Sequence, residues 1–239
     1  MKCSICISTH NKAAYLHRTL GSIFRQDPPF DWEVCVCDDG SPETDTARIC
    51  REYGVKYTRR DRQPGFRNQC IPRNISYRMA TGDIVISQAD DVVHVTDNAI
   101  ERLVDELKPG TFVIANVFNT DPLGNKVLSY GITEYIGPSR KKPFFFLGSL
   151  FRNDIYRVGG NDEEFDVAPA FEDDWFGDCL IKGLGLTPVY TANVVGHHID
   201  HPRPFVYQDT VPADMLYRRK SKLAAMGKIP YCAAGGPWT

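Results

Sequence analysis

The chain has 239 residues, 42% hydrophobic and 24% charged, and its 28 Lys and Arg nearly balance 30 Asp and Glu for a net charge of −2. That composition excludes a disordered or collagen-like chain, and the near-neutral balance excludes a protein that holds nucleic acid mainly by charge. The longest apolar stretch, residues 144–151, is far short of the roughly 20 residues that span a bilayer, and no secretory leader pattern opens the sequence, so a soluble, cytoplasmic protein is expected.

Residues 3–9 form a short apolar run and are predicted to be a strand. In residues 12–25, Ala13, Leu16, Leu20, Ile23 and Phe24 recur at helical spacing, with Asn11 as the expected N-cap. A second strand, 32–37, runs into Asp38-Asp39-Gly40-Ser41, and a helix over 44–53 is closed by Gly54. Then follow a strand at 55–59, a helix at 68–80 closed by Gly82, and a strand at 83–88 that leads directly into Asp90-Asp91. A helix over 96–107, capped by Thr96 or Asp97, completes the first half. This alternation predicts an α/β fold with a mostly parallel, Rossmann-like central sheet flanked by helices. In such sheets ligands bind beyond the carboxyl ends of the strands, where residues 8–11, 38–41 and 90–91 all fall.

The second half is less regular. Strands are expected at 112–118 and 126–130 as a pair around the 121–125 turn, then at 144–151 and 187–195. A helix is expected within 173–182, ended by Gly183, with Trp175 either packed in the core or stacking on a ligand. The last strand leads to His197-His198-Ile199-Asp200-His201. A basic amphipathic helix over 214–226, carrying Arg218, Arg219, Lys220 and Lys222, reads as a solvated face or a peripheral membrane contact. The eight cysteines are expected to be reduced; Cys3 and Cys6, three apart in a strand, point to opposite faces and cannot chelate together.

Three acidic clusters can carry chemistry. Asp90 and Asp91, adjacent carboxylates leaving a buried strand, repel each other and call for a cation or several donors, a pattern that suits a hard divalent ion. Asp38-Asp39-Gly40-Ser41 is either a strand-to-helix turn or a carboxylate that accepts from a base or ribose. Glu172-Asp173-Asp174 either favours a helix N-terminus or offers a general base. Three histidines within five residues, at 197, 198 and 201, add candidate ligands for a metal.

In this order and at these spacings the motifs resemble a family 2 glycosyltransferase of the GT-A fold. The pieces are Ser4 to Asn11, Cys37 to Ser41, Pro72-Arg73-Asn74-Ile75 with Ala80 to Ile84, Ala89-Asp90-Asp91, and Gly159 to Phe165 followed by Glu172-Asp173-Asp174. The last segment is also similar to galactosyl- and N-acetylgalactosaminyl-transferring branches, and the likeness covers roughly residues 2–205. The resemblance implies one catalytic domain over 1–239: a nucleotide-sugar half (1–110), an acceptor half (111–205), and a C-terminal helix and tail (206–239). It implies donor binding by Ser8, Asp39, Arg67, Asn68 and Asp90, with Asp38 held to a structural role. It implies a divalent cation, Mn2+ or Mg2+, on Asp91 and His198, with His201 and His197 as the fallback ligands, and Asp173 as catalytic base. Many relatives carry an Asp where this chain has Gln88, so one carboxylate fewer is expected at the metal.

The implied activity is metal-dependent, inverting transfer of a hexose or N-acetylhexosamine from a UDP-sugar to a saccharide or glycoconjugate hydroxyl. The synthase motif Gln-x-x-Arg-Trp does not occur. A nucleotidyltransferase is the nearest rival, but residues 8–12 lack the glycines of a phosphate loop. A metal-dependent hydrolase remains a further reading, since such a site can turn water into the acceptor, whereas the intact acids at all three clusters argue against an inactive scaffold of the same fold.

Overall fold

Strand β1 (Lys2–Thr9) is buried along almost its whole length, as its near-continuous apolar run requires of a strand covered on both faces. It lies between β2 (Asp31–Asp38) and β4 (Ile84–Ala89), parallel to both, with Ser8 opposite Cys37 on one side and Ala89 on the other. β3 (Lys56–Arg59) extends this parallel half at its edge. The computed structural model describes residues 1–42, 44–61, 68–129, 131–202 and 205–239.

Beyond β4 the sheet becomes mixed. β8 (Leu147–Phe151) runs antiparallel between β4 and β6 (Thr111–Thr120), and β6 pairs in parallel with β9 (Thr187–Ile199). The order is β3-β2-β1-β4-β8-β6-β9-β5, where β5 (Val92–His94) is antiparallel to β9 and β7 (Glu134–Ile136) pairs with β6. Helices α1 (Ala13–Ile23), α2 (Asp45–Glu52), α3 (Cys70–Met79) and α4 (Ala99–Glu106) connect the strands of the first half. In the second half come α5 (Arg152–Val158), α6 (Glu172–Asp178) and α7 (Val211–Ala225).

Several local expectations are corrected. Asn11 does not cap α1; it takes a left-handed backbone (φ 52) and its N–H donates to Ser41 Oγ at 2.9 Å. Neither Thr96 nor Asp97 caps α4, whose flanking residue is Asn98. Instead Thr96 Oγ1 accepts from Val195 N–H, so the hydroxyl serves β9. Among the described residues, the expected hairpin partner at 126–130 reduces to isolated bridges, Lys126 with Thr120 and Ser129 with Ile132, and β7 pairs with β6 in its place. Three elements, β5, β7 and α5, were not expected at all. The last strand does not stop before the histidines: β9 carries both His197 and His198, whose side chains alternate across it.

One continuous core unites the elements, built on β1, β4 and β6 and including Phe112, Phe145, Trp175 and Phe176. Trp175 is fully buried, and its Nε1–H donates to the Cys232 carbonyl at 3.3 Å, so it packs and does not reach a ligand. All eight cysteines are free, and seven are buried. α7 is not a uniformly solvated basic helix, because Lys220 is buried between Asp162 at 2.7 Å and Glu164 at 2.5 Å. Among the described residues no helix is long and apolar enough to cross a membrane.

Candidate active site

The register of β1, β2 and β4 sets three strand tips side by side, because Thr9 pairs with Asp38 and Ser8 with Ala89. The chain leaves these tips as Ser8-Thr9-His10, Asp38-Asp39 and Asp90-Asp91, and residues from all three line a cavity of about 550 Å³. The opposite wall comes from the second half: Phe144 and Phe146, residues 169–174, and His198 to His201. Of the expected site residues, Ser8, Asp39, Asn68, Asp90, Asp91, Asp173 and His198 all line this cavity. Arg67 lies outside the described residues.

Asp38 and Asp39 divide their roles. Asp38 Oδ1 accepts from Ser41 N–H at 2.8 Å and Oδ2 from Tyr57 Oη–H at 2.9 Å, which fixes the turn, and it does not line the cavity. Asp39 faces the cavity and forms an ion pair with Arg60 at 3.0 Å, a partner that sequence did not reveal. His10 Nδ1 lies 2.9 Å from the Asp39 carbonyl and ties the first tip to the second.

The tertiary structure also delivers the histidines to Asp91. β5 turns back immediately after Asp91 and pairs with β9, so Val92 is opposite His198 and the Ile199 N–H donates to Asp91 O at 3.0 Å. His198 Nε2 then lies 3.7 Å from Asp91 Oδ1, and His201 Nε2 lies 3.0 Å from Oδ2. Asn119 Oδ1, 3.0 Å from His198 Nδ1, leaves Nε2 facing Asp91, and Tyr135 stacks on the ring at 4.7 Å with an interplanar angle of 6°. His197 points away, toward the turn at Gly124. Gln88 is not a degraded ligand: its amide donates to Val92 O at 2.9 Å and its Oε1 meets His94, so it holds the β4–β5 connection.

Asp91, His198 and His201 bring one ligand atom each within 4.8 Å of one another, and Asp91 Oδ1 is buried without a hydrogen bond. Oxygen and imidazole donors around an orphaned carboxylate oxygen fit a divalent ion such as Mn2+. Lys12, which follows β1, enters the same cluster, 2.5 Å from Asp91 Oδ2 and 3.6 Å from Asp90 Oδ1. Burial pushes Asp91 up, but Lys12, His198 and His201 outweigh it and hold the carboxyl well below its ordinary range. For Asp90, burial wins over the pull of Lys12, the neighbouring Asp91 charge adds to it, and the carboxyl is raised. The Lys12 ammonium, although burial opposes its charge, is held above its usual value by the two aspartates.

Across the cavity, Ala170 and Phe171 both adopt left-handed φ values, 70° and 67°, just before α6 begins. Non-glycine residues rarely adopt this conformation, and after it Glu172, Asp173 and Asp174 of the first turn of α6 line the cavity. Glu172 accepts from Asn68 Nδ2 at 2.8 Å and Gln69 Nε2 at 3.0 Å, so Asn68 here anchors the acidic loop while also lining the cavity. Asp173 is buried against the Arg73 guanidinium from α3. Burial raises Asp173 to about 7 against the pull of Arg73, with Glu172 adding to the rise. Asp174, more open, is raised to about 6 by burial against the pull of Lys142. Sequence missed Lys12, Arg60 and Arg73 as site residues; the carboxylates at strand tips were the signal that such cations had to exist.

The pattern of glycosyl transferase family 2 matches residues 4–158. The poly(ribitol-phosphate) beta-N-acetylglucosaminyltransferase TarP of Staphylococcus aureus (strain N315) is 28% identical over 159 residues, which are 64% of this chain and 44% of that protein. The chain thus spans less than half the length of this curated relative. Among solved structures, the mannosyltransferase PcManGT from Pyrobaculum calidifontis, in complex with GDP-Man and Mn2+, superposes with a TM-score of 0.66 at 20% identity, over 95% of this chain and 65% of that one. S. aureus TarS 1–349 with UDP-GlcNAc gives a TM-score of 0.63 at 18% identity, over 95% and 66%. The architecture is the GT-A fold of these glycosyltransferases. The chain belongs to glycosyl transferase family 2.

Proposed function

We propose that the protein transfers a hexose or N-acetylhexosamine from a nucleotide-sugar, a UDP-sugar first of all, to a hydroxyl of a saccharide or glycoconjugate, with inversion at the anomeric carbon. The observation that carries this reading is the meeting in one cavity of the three strand-tip clusters with the Asp91–His198–His201 set and the Asp173 carboxyl. Ser8 and Asp39 line the end built by β1 and β2, where they would hold the base and ribose, and Asp90 would contact ribose or sugar. Residues 1–110 thus supply the donor side and 111–205 the acceptor side.

Asp91, His198 and His201 would hold a divalent cation, Mn2+ or Mg2+. When bound, that cation neutralises the charge that grows on a departing diphosphate. Asn119 and Tyr135 orient His198 for this task. Asp173, which lines the cavity, takes the proton of the acceptor hydroxyl as its oxygen attacks, and Arg73 holds one of its carboxylate oxygens in place. A single base on the face opposite the leaving group gives inversion. Phe144, Phe146 and Phe171 provide apolar faces against which a sugar ring can lie.

The test is transfer from a panel of UDP- and GDP-sugars, galactosyl and N-acetylgalactosaminyl donors included, to saccharide acceptors with Mn2+ present. Asp173→Asn should lower the transfer rate by about 10²- to 10⁴-fold, the range of a general base, with donor binding kept. Asp174→Asn should retain most activity. The reverse ranking would give the base role to Asp174. Neither turnover nor donor binding by the wild-type protein would leave an inactive scaffold.

A further inference from the structure

Lys12 enters the cluster that would hold a metal. Its Nζ is 2.5 Å from Asp91 Oδ2 and 2.9 Å from His201 Nε2, so it touches two of the three clustered residues, and it lies 3.6 Å from Asp90 Oδ1. His201 Nε2 has one site for a partner, and here it is held between the Lys12 ammonium at 2.9 Å and Asp91 Oδ2 at 3.0 Å, so a cation can take it only by displacing these contacts. At 2.5 Å, the ammonium also occupies the approach to Asp91 Oδ2. The ammonium and a cation that takes both Asp91 Oδ2 and His201 therefore exclude each other. Lysine carries its charge on a flexible four-carbon stem, and this side chain, 27% exposed, borders the cavity.

We propose that Lys12 is a resident counter-ion of this centre, which neutralises Asp90 and Asp91 in the donor-free protein and is displaced when a divalent cation takes Asp91 and His201. The inference rests on the metal reading given above. Without such a counter-ion, two adjacent buried carboxylates would be left with only the histidines on Asp91 to offset them. With it, the site is preassembled, and its affinity for metal alone is reduced because every ion must first expel an ammonium. The side chain that sequence places at an unremarked helix start thus sets the threshold for metal loading.

The test uses the full chain without donor and Mn2+ as the probe, with binding followed by the electron paramagnetic resonance of free Mn2+. Lys12→Met keeps the length of the stem and removes the charge. It should bind Mn2+ about tenfold tighter or better than wild type, the scale of a lost charge-assisted hydrogen bond. Lys12→Arg, which keeps the charge, should stay near wild type. In the wild-type protein, saturating Mn2+ should raise the rate at which an amine-acylating reagent labels Lys12, read by peptide mass spectrometry against the exposed Lys108. This second measurement decides the matter if Lys12→Met fails to fold. Equal Mn2+ affinity in wild type and Lys12→Met, or Lys12 labelling unchanged by Mn2+, overturns the displacement and leaves the metal reading intact. Absence of Mn2+ binding by all three proteins, with and without UDP, overturns the metal reading and the displacement with it.

Discussion

Asp90 and Asp91 are neighbours in sequence, yet their surroundings drive them in opposite directions. Asp91 gains Lys12, His198 and His201 and is held ionised, whereas Asp90 is buried beside another negative charge and rises. The proposal of Asp91 over Asp90 as ligand therefore has an electrostatic basis. Across the cavity Asp173 sits near 7 because burial outweighs Arg73. A base works only when deprotonated, so kcat/KM should fall about tenfold per pH unit below roughly pH 7 and level off above it. A pH profile measured on wild type checks this, and an acid limb near pH 4 would show that the Asp173 carboxyl is not raised. These carboxylates could be picked out in sequence because acids at strand ends are a local pattern. Lys12, Arg60 and Arg73 could not, because each meets a carboxylate far away along the chain, and a lone basic residue in sequence looks the same whether solvated or paired.

At the level of elements, hydrophobic runs and helical spacing located β1, β2, β4, α1, α2, α3 and α4 to within a few residues. What failed was short or polar: β5 has three residues, and the polar stretch at 196–199 hides the end of β9. His197 and His198 were expected beyond the strand; as strand residues they face opposite sides, which selects His198 for the site and excludes His197. Gly82 shows how strongly these elements constrain one another. A Cβ there would lie 2.6 Å from the Lys2 carbonyl oxygen and 2.9 Å from Cys3 C, both backbone atoms of β1. Gly82→Ala should therefore destabilise the protein by about 1–3 kcal/mol, as overpacking a tight contact does, seen as a lower urea midpoint at unchanged slope.

Over the whole molecule the cavity exists only because two dissimilar halves of the sheet close around it. Glu172 latches them: its carboxylate takes hydrogen bonds from Asn68 and Gln69, more than a hundred residues earlier. Glu172→Ala leaves the Gln69 amide without this acceptor and frees the loop that carries Asp173, so stability should drop by about 1–3 kcal/mol. Transfer should fall further than the folded fraction measured by circular dichroism under assay conditions; equal losses would confine Glu172 to a stabilising role. The sequence by itself determined the parallel first half, the strand-tip position of the acids and the family, because period, turn chemistry and ordered motifs act over a few residues at a time. Only the tertiary structure decided which histidines join Asp91, why Gln88 does not, and that a lysine holds the centre. Those outcomes depend on pairing β5 with β9 and on burying charges together, and neither leaves a local trace in the chain.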